Sequence, residues 1–220
     1  MSVANALQQR VSVRAFEDRL IAPELLTQIF SQAQLSPSNC NVQPWQTLVV
    51  SGAKKDQLTQ QLLAAVTSVT PPHPDFNWSV GYSGIHRERQ FGSANALYNA
   101  LGIDRKDKTK RTQAMLRNWT FFDAPHVAIF TMDTYLDIMG SVDVGIYAQS
   151  LALLMAEQGI GCCMQGALGQ FPGPIHELFN LPESRGVLFG MSFGYADNSH
   201  DSSNARTERV ELENAVSFYS

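Results

Sequence analysis

At 220 residues and 44% hydrophobic content, the chain is long enough to bury one sizeable core, as a single globular unit or as one subunit of an intimate dimer. Its formal net charge of -4, with no stripe of basic residues, gives no support for nucleic-acid binding and leaves phosphate binding by a few local arginines open. Three cysteines, two of them adjacent at Cys162 and Cys163, exclude a disulfide framework or a CxxC zinc site and read as reduced, mostly buried thiols. No basic region followed by an apolar run opens the chain, so no signal peptide is expected and a cytoplasmic protein is.

Residues 2–10 can form a short helix. An extended segment follows at residues 10–16, where a period of two puts Arg10, Ser12 and Arg14 on one face and Val11 and Val13 on the other. Two guanidinium groups and a hydroxyl on one side make an anion site; the same spacing also fits a solvated edge strand. Pro23 starts a helix that carries Leu25, Leu26, Ile29, Phe30 and Ala33 at helical spacing. Residues 36–45 hold two prolines and several short polar side chains, which predicts a loop suited to hydrogen bonding a polar small molecule or to satisfying its own turns. A strand at 47–51 and a helix at 54–67, with Leu58, Leu62 and Leu63 inward, come next.

Residues 69–83 are rich in proline and aromatics without periodicity and read as a long surface loop over a cleft. Helical regions follow at 86–101 and 106–121, then a strongly apolar strand at 126–132. Residues 141–158 form a nearly all-apolar helix in which Ser141 can cap the start, Asp143 complements the dipole in the first turn and Gly159 ends it. With Val142, Ile146, Leu151, Leu153, Leu154 and Met155 around most of its circumference, it is expected in a core or against another subunit, and it reads as too short and interrupted to span a membrane. Ile160, Cys162 and Met164 then suggest a short buried strand, left through a turn at Gln165 and Gly166 whose backbone N–H groups can point at a ligand. A short helix through Phe179, a long buried strand at 186–196 and a terminal strand at 215–219 without a local mate complete the chain. His73, His86, His126, His176 and His200 show no metal-ligand spacing and read as structural or exposed.

Six stretches together resemble the FMN-dependent nitroreductase family: RVSVRAF at 10–16, SPSNCNVQPW at 36–45, FFDAPHVAIF at 121–130, GIGCCMQG at 159–166, LPESRGVLFGMSFGYAD at 181–197 and RTERVELENAVSF at 206–218. The resemblance implies a single α+β domain over residues 1–220, with a mixed, mainly antiparallel central sheet flanked by helices, in an intertwined homodimer. FMN would sit at the subunit interface, and the terminal strand would cross to the partner's sheet. Residues 69–119 match only loosely and would cover the substrate pocket. By the same resemblance, Arg10, Ser12 and Arg209 bind the FMN phosphate, with Arg206 a weaker candidate. Arg14 lies near the ring edge where negative charge gathers on reduction; Pro37, Ser38, Asn39 and Asn41 approach the flavin from the other subunit; and Gln165 and Gly166 present a backbone N–H to flavin N5.

No catalytic side chain is expected, because such a cofactor carries the hydride chemistry itself. The implied activity is NAD(P)H-dependent, ping-pong reduction of a small aromatic acceptor, a nitroaromatic or a quinone. Phe76, Trp78, Tyr82, Trp119, Phe121 and Phe122 are the candidate pocket walls, with core packing the default for any one of them. The alternatives are a flavin-binding sensor or carrier without turnover, or a family branch acting as flavin reductase or reductive dehalogenase. No nucleic acid or membrane partner is expected.

Overall fold

The computed structural model describes residues 1–77 and 81–220. Its framework is a four-stranded sheet of β1 (Gln46–Ser51), β2 (His126–Asp133), β3 (Gly161–Gln165) and β4 (Arg185–Gly194), in the order β1-β2-β4-β3. Every neighbouring pair is antiparallel. The expected mixed character comes from one parallel bridge, Ser12 to Cys162, where the extended segment at 10–16 lies along the free edge of β3 and Val13 N donates to Cys162 O at 3.0 Å. An antiparallel bridge from Phe16 to Ala196 fastens the other end of that segment. The fit against β3 is close: a Cβ at Gly161 would sit 2.7 Å from Val13 Cγ2, so glycine there is what lets the segment lie on the strand.

Both faces of the sheet are covered, which explains why β2 is buried from His126 to Met132. Its side chains divide by parity. Ala128, Phe130 and Met132 pack with helices α2 (Pro23–Ala33) and α6 (Asp137–Glu157). Val127 and Ile129 pack on the opposite face with Leu58 and Leu62 of α3 (Gly52–Thr67) and Ile175 of α7 (Gly173–Phe179). The register slips between Phe130 and Thr131, because Leu188 of β4 falls between the partners Val187 and Phe189. Three further helices, α1 (Val3–Gln9), α4 (Gly84–Ala100) and α5 (Lys108–Leu116), lie outside this sandwich, and neither α4 nor α5 buries a residue completely. At the start of α1 the Ser2 hydroxyl accepts from Asn5 N at 3.2 Å.

Helix α6 departs from expectation at its beginning and agrees at its end. It starts at Asp137, four residues before the expected cap, so the Ser141 hydroxyl donates back to the Asp137 carbonyl at 2.9 Å. Asp143 lies beyond the first turn and is buried. At the other end Gly159 has φ 71°, Gly159 N donates to Ala156 O and Ile160 N to Met155 O, the paired bonds of a glycine-terminated helix. One face of α6 is core, including Val144, Tyr147, Leu151 and Met155. On the other face Ile138 is 71%, Val142 50% and Ile146 39% exposed in the single chain, a stripe at four-residue spacing. The stretch Thr134–Glu157 has the length and apolar composition of a membrane span, correcting the expectation that it is too short; its packed face instead belongs to the core with Trp45 and the sheet.

The expected terminal strand is absent within the chain: residues after the 3-10 turn Leu212–Asn214 form no strand, and Phe218 and Tyr219 are exposed. A strand needs a neighbouring strand, and among the described residues this segment has none: Ala215 N and Val216 N donate back to Leu212 O.

His126 is buried at the start of β2. Its Nε2 accepts from Ile21 N at 3.0 Å, and its ring lies against Phe193 with centroids 5.3 Å apart. Burial first, and the Lys55 ammonium second, hold its pKa below the ordinary 6.5. The imidazole is therefore neutral in the fold, and protonation favours the unfolded chain. This contribution is present above about pH 6.5 and is lost as the pH falls below it towards the folded value. Denaturant unfolding should accordingly show wild type losing stability relative to His126→Gln between about pH 7.5 and pH 5.5, the carboxylates common to both proteins cancelling.

Candidate functional site

The extended segment brings Arg10, Ser12 and Arg14 to the wall of one cavity of about 300 Å³. The side chain of Val13 turns away onto Gly161, as the period of two requires, whereas Val11 also reaches the cavity rim. The C-terminal tail returns past the 3-10 turn Asp201–Asn204 to close the far side with Arg206, Thr207 and Arg209, and Ser93 and Leu97 of α4 form a third wall. Arg206, the weaker candidate in sequence, thus stands beside Arg10 and Arg209.

Four arginines line this space and, among the described residues, no acidic residue does. Among the described residues the arginine ion pairs are Arg19 to Glu17, Arg117 to Asp123 and Arg185 to Asp133, and none of the four takes part. Three of them donate to neutral groups instead. Arg206 Nη1 donates to Ser203 O at 2.7 Å and Ala205 O at 2.9 Å; Arg209 Nη1 donates to Thr207 Oγ1 at 3.0 Å and Glu208 O at 3.0 Å; Arg14 Nη1 reaches Ser12 O at 3.4 Å. Such bonds aim a guanidinium without neutralising it. Nor do the adjacent thiols offer negative charge: burial, with the neighbouring Cys163 second, pushes Cys162 up to about 12 against the pull of Arg10, and burial raises Cys163 against Arg14. Like charges gathered in a partly enclosed space repel, and an oxyanion able to take several charge-assisted hydrogen bonds relieves that repulsion.

Arg14 is shared with a second cavity of about 210 Å³, where Asn118, Phe122, Cys163, Met164 and Tyr98 are further walls. Asn118 is held there by Gln165. The buried Gln165 side chain donates from Nε2 to Asn118 O at 2.8 Å, and its Oε1 accepts from the Ser192 hydroxyl. The expected role of Gln165 concerns its backbone; its side chain is committed to internal bonds. Gly166 begins the 3-10 turn Gly166–Gln170 directly after β3, and neither Gln165 nor Gly166 lines the two cavities.

Pro37, Ser38, Asn39 and Asn41 are not brought to these cavities within the chain. They form a separate loop against α6, in which Pro37, Asn39, Asn41 and Val42 are exposed. Of the aromatic pocket candidates, Trp119 and Phe121 are core residues packed with Val127 and Ile129. Apolar side chains in the segment that follows α5 gain more from the interior than from an open cleft, so for these two the core reading holds over the pocket-wall one. Phe122 alone of these three reaches the second cavity. Phe76 packs over Gly186, Tyr82 is exposed, and Trp78 lies outside the described residues. Of the histidines, His176 pairs with Asp75 at 2.8 Å, and Asp75 also accepts from Val187 N, tying the segment after α3 to the start of β4.

The model of the nitroreductase family matches residues 7–195. Nitroreductase NfnB of Mycolicibacterium smegmatis is 35% identical over 216 residues, 96% of this chain and 90% of that protein. A nitrobenzene nitroreductase of Ectopseudomonas oleovorans is 30% identical over 220 residues, covering 98% and 96%. The crystal structure of the FMN-dependent nitroreductase NfnB from Mycobacterium smegmatis in complex with NADPH matches with a TM-score of 0.93 at 32% identity over 100% of both chains. The extended arginine segment, the antiparallel sheet and the returning tail are therefore those of a known fold, and the chain belongs to the nitroreductase family.

Proposed function

We propose that the chain is an FMN-dependent oxidoreductase that uses NAD(P)H to reduce nitroaromatic or quinone acceptors, working in the cytoplasm as a homodimer. The observation that carries this reading is the cavity of four unpaired arginines, which fits the phosphate of FMN in charge and in hydrogen-bonding capacity. The relatives supply the chemistry: one is a nitrobenzene nitroreductase, and another is FMN-dependent and binds NADPH. Bound FMN would supply the hydride chemistry between nicotinamide and acceptor, so no side chain need act as nucleophile or general base.

The chain's own residues bind and orient. Arg10, Ser12 and Arg209 hold the phosphate, with Arg206 beside them. Arg14, on the wall shared by both cavities, offers a fixed cation to the negative charge that gathers on a reduced ring. Gln165 and Gly166 hold the end of β3 in place, Gln165 through its bonds to Asn118 and Ser192, so that a backbone N–H is presented to the ring. Residues 69–119 serve as the cover of the substrate pocket within one domain spanning 1–220; α4, in this stretch, already supplies walls to both cavities.

Pro37, Ser38, Asn39 and Asn41 complete the partner's site, which accounts for their distance from the arginines of their own chain. The exposed stripe Ile138, Val142 and Ile146 gives the subunit contact its apolar area, and the tail at 215–219 finds strand partners on the other subunit. The arginines form a pocket instead of a stripe, so no nucleic-acid role is proposed, and α6 is taken as a core and contact helix, with no membrane role.

Under anaerobic conditions NADPH should bleach the yellow FMN-loaded protein, and a nitroaromatic acid should restore the colour; flavin that stays oxidised with both NADPH and NADH would contradict turnover. Separately, Arg10→Ala should weaken FMN binding about ten- to a hundred-fold, the loss of roughly 1.5 to 3 kcal/mol from one charge-assisted contact. Riboflavin, which lacks the phosphate, should bind both proteins alike. Fluorescence titration reads both affinities, and an FMN affinity unchanged by the substitution removes Arg10 from the site.

A further inference from the structure

The loop at residues 36–45 is fastened to two residues one turn apart on α6. Both carboxylate oxygens of Asp143 accept from the Asn39 backbone N–H, at 3.1 and 3.2 Å. Four residues on, the Tyr147 ring stacks on Trp45 with centroids 4.8 Å apart and planes 3° from parallel. Gln34 completes this second fastening: its Oε1 accepts from Trp45 Nε1 at 3.0 Å, and its Nε2 donates to the Tyr147 hydroxyl at 3.3 Å.

Between the fastenings the backbone is in a conformation that its sequence disfavours. Cys40, Asn41 and Gln43 have φ of 48°, 57° and 49°, in the left-handed region without being glycine. Bonds internal to the loop support this shape, from Gln43 N to Ser38 Oγ at 2.9 Å, from Gln43 Nε2 to Asn41 O at 3.0 Å, from Asn41 N to Ser38 O at 3.0 Å and from Val42 N to Asn39 O at 3.0 Å. A strained backbone persists only when its surroundings over-determine it. Asp143 supplies a bond from outside the loop to its centre, and it does so as a buried carboxylate, which holds its position because an unpaired buried charge is costly.

We infer that Asp143 is a positioning residue for flavin binding: its carboxylate fixes the pose in which Pro37, Ser38, Asn39 and Asn41 are offered to the flavin held by the partner subunit. This rests on the proposed function, in which that loop completes the partner's site. The placement also links two tasks of α6. Val142, adjacent to Asp143 in sequence, belongs to the exposed apolar stripe, so the same turn of helix that meets the partner carries the acid that shapes the donated loop.

The test is titration of the apoprotein with FMN and with riboflavin, on wild type, Asp143→Ala, Asp143→Asn and Arg10→Ala, with thermal unfolding of each. Because the loop acts away from the phosphate, Asp143→Ala should weaken both flavins by the same factor, about tenfold, the scale of one lost hydrogen bond to a charged group. Asp143→Asn keeps an acceptor oxygen without the charge and should lose only about two- to fivefold, again equally for both flavins. If Asp143→Ala does not fold, Asp143→Asn carries the test alone. Folded variants with wild-type affinity for both flavins would overturn the inference, as would a loss confined to FMN. Should Arg10→Ala still weaken FMN in that case, Asp143 fails alone; a wild-type protein that binds neither flavin would overturn the function on which the inference rests.

Discussion

Four guanidinium groups without a carboxylate among them are the constraint around which the rest of this structure makes sense. A fold gains nothing by gathering Arg10, Arg14, Arg206 and Arg209 about one cavity of roughly 300 Å³ unless an anion is to enter it. Three pieces of chain must be held for the cluster to exist. The segment at 10–16 is held by the edge of β3, which requires the bare Cα of Gly161 under Val13. The tail is held by turns at Asp201–Asn204 and by arginines that grip their own backbone carbonyls. The thiols behind them stay protonated through burial, so the positive charge is left for a ligand.

The second organising element is α6, which does different work on each side. Its core face secures the sheet through Tyr147, Leu151 and Met155 and fastens the loop at 36–45 through Asp143 and Tyr147. Its other face leaves Ile138, Val142 and Ile146 exposed at four-residue spacing. Contiguous apolar surface of this kind marks a contact site, and the loop shaped by the same helix lies apart from the arginines of its own chain. Those two facts support the proposal that the arginine cavity of one copy and the loop of another complete a single site.

Most of the architecture was legible in the sequence because periodicity reports burial directly. The helices α2 and α3, the strands β2 and β4, and the one-face placement of Arg10, Ser12 and Arg14 all follow from spacing that the packed structure enforces. Where the reading failed, a non-local or competing local interaction decided. Ser141 resembled a helix cap, but the helix begins at Asp137 and the hydroxyl turns back to that residue's carbonyl. Asp143 resembled a dipole partner, yet it serves a loop more than one hundred positions away in sequence, which no local pattern encodes. Trp119 and Phe121 carry the same aromatic signal whether they line a pocket or a core, and burial put them in the core. Gln165 was recognised by its position in a turn, while its side-chain bonds to Asn118 and Ser192 depend on strands that meet only in three dimensions. The segment at 215–219 has strand composition, but among the described residues it pairs with no strand, and Ala215 N and Val216 N donate back to Leu212 O instead.

The central claim is that the arginine cavity of one subunit and the loop at 36–45 of the other form a single flavin site. A mixed dimer tests it most directly: one subunit carries Arg10→Ala, the other carries Asn41→Ala, and each bears a different affinity tag so that the heterodimer can be purified. A site shared across the interface would put both defects in one cavity and leave the other intact, so the heterodimer should bind one FMN per dimer with wild-type affinity while each parent homodimer binds weakly. A heterodimer with no site of wild-type affinity would mean that each flavin is held within one chain, and would contradict the account.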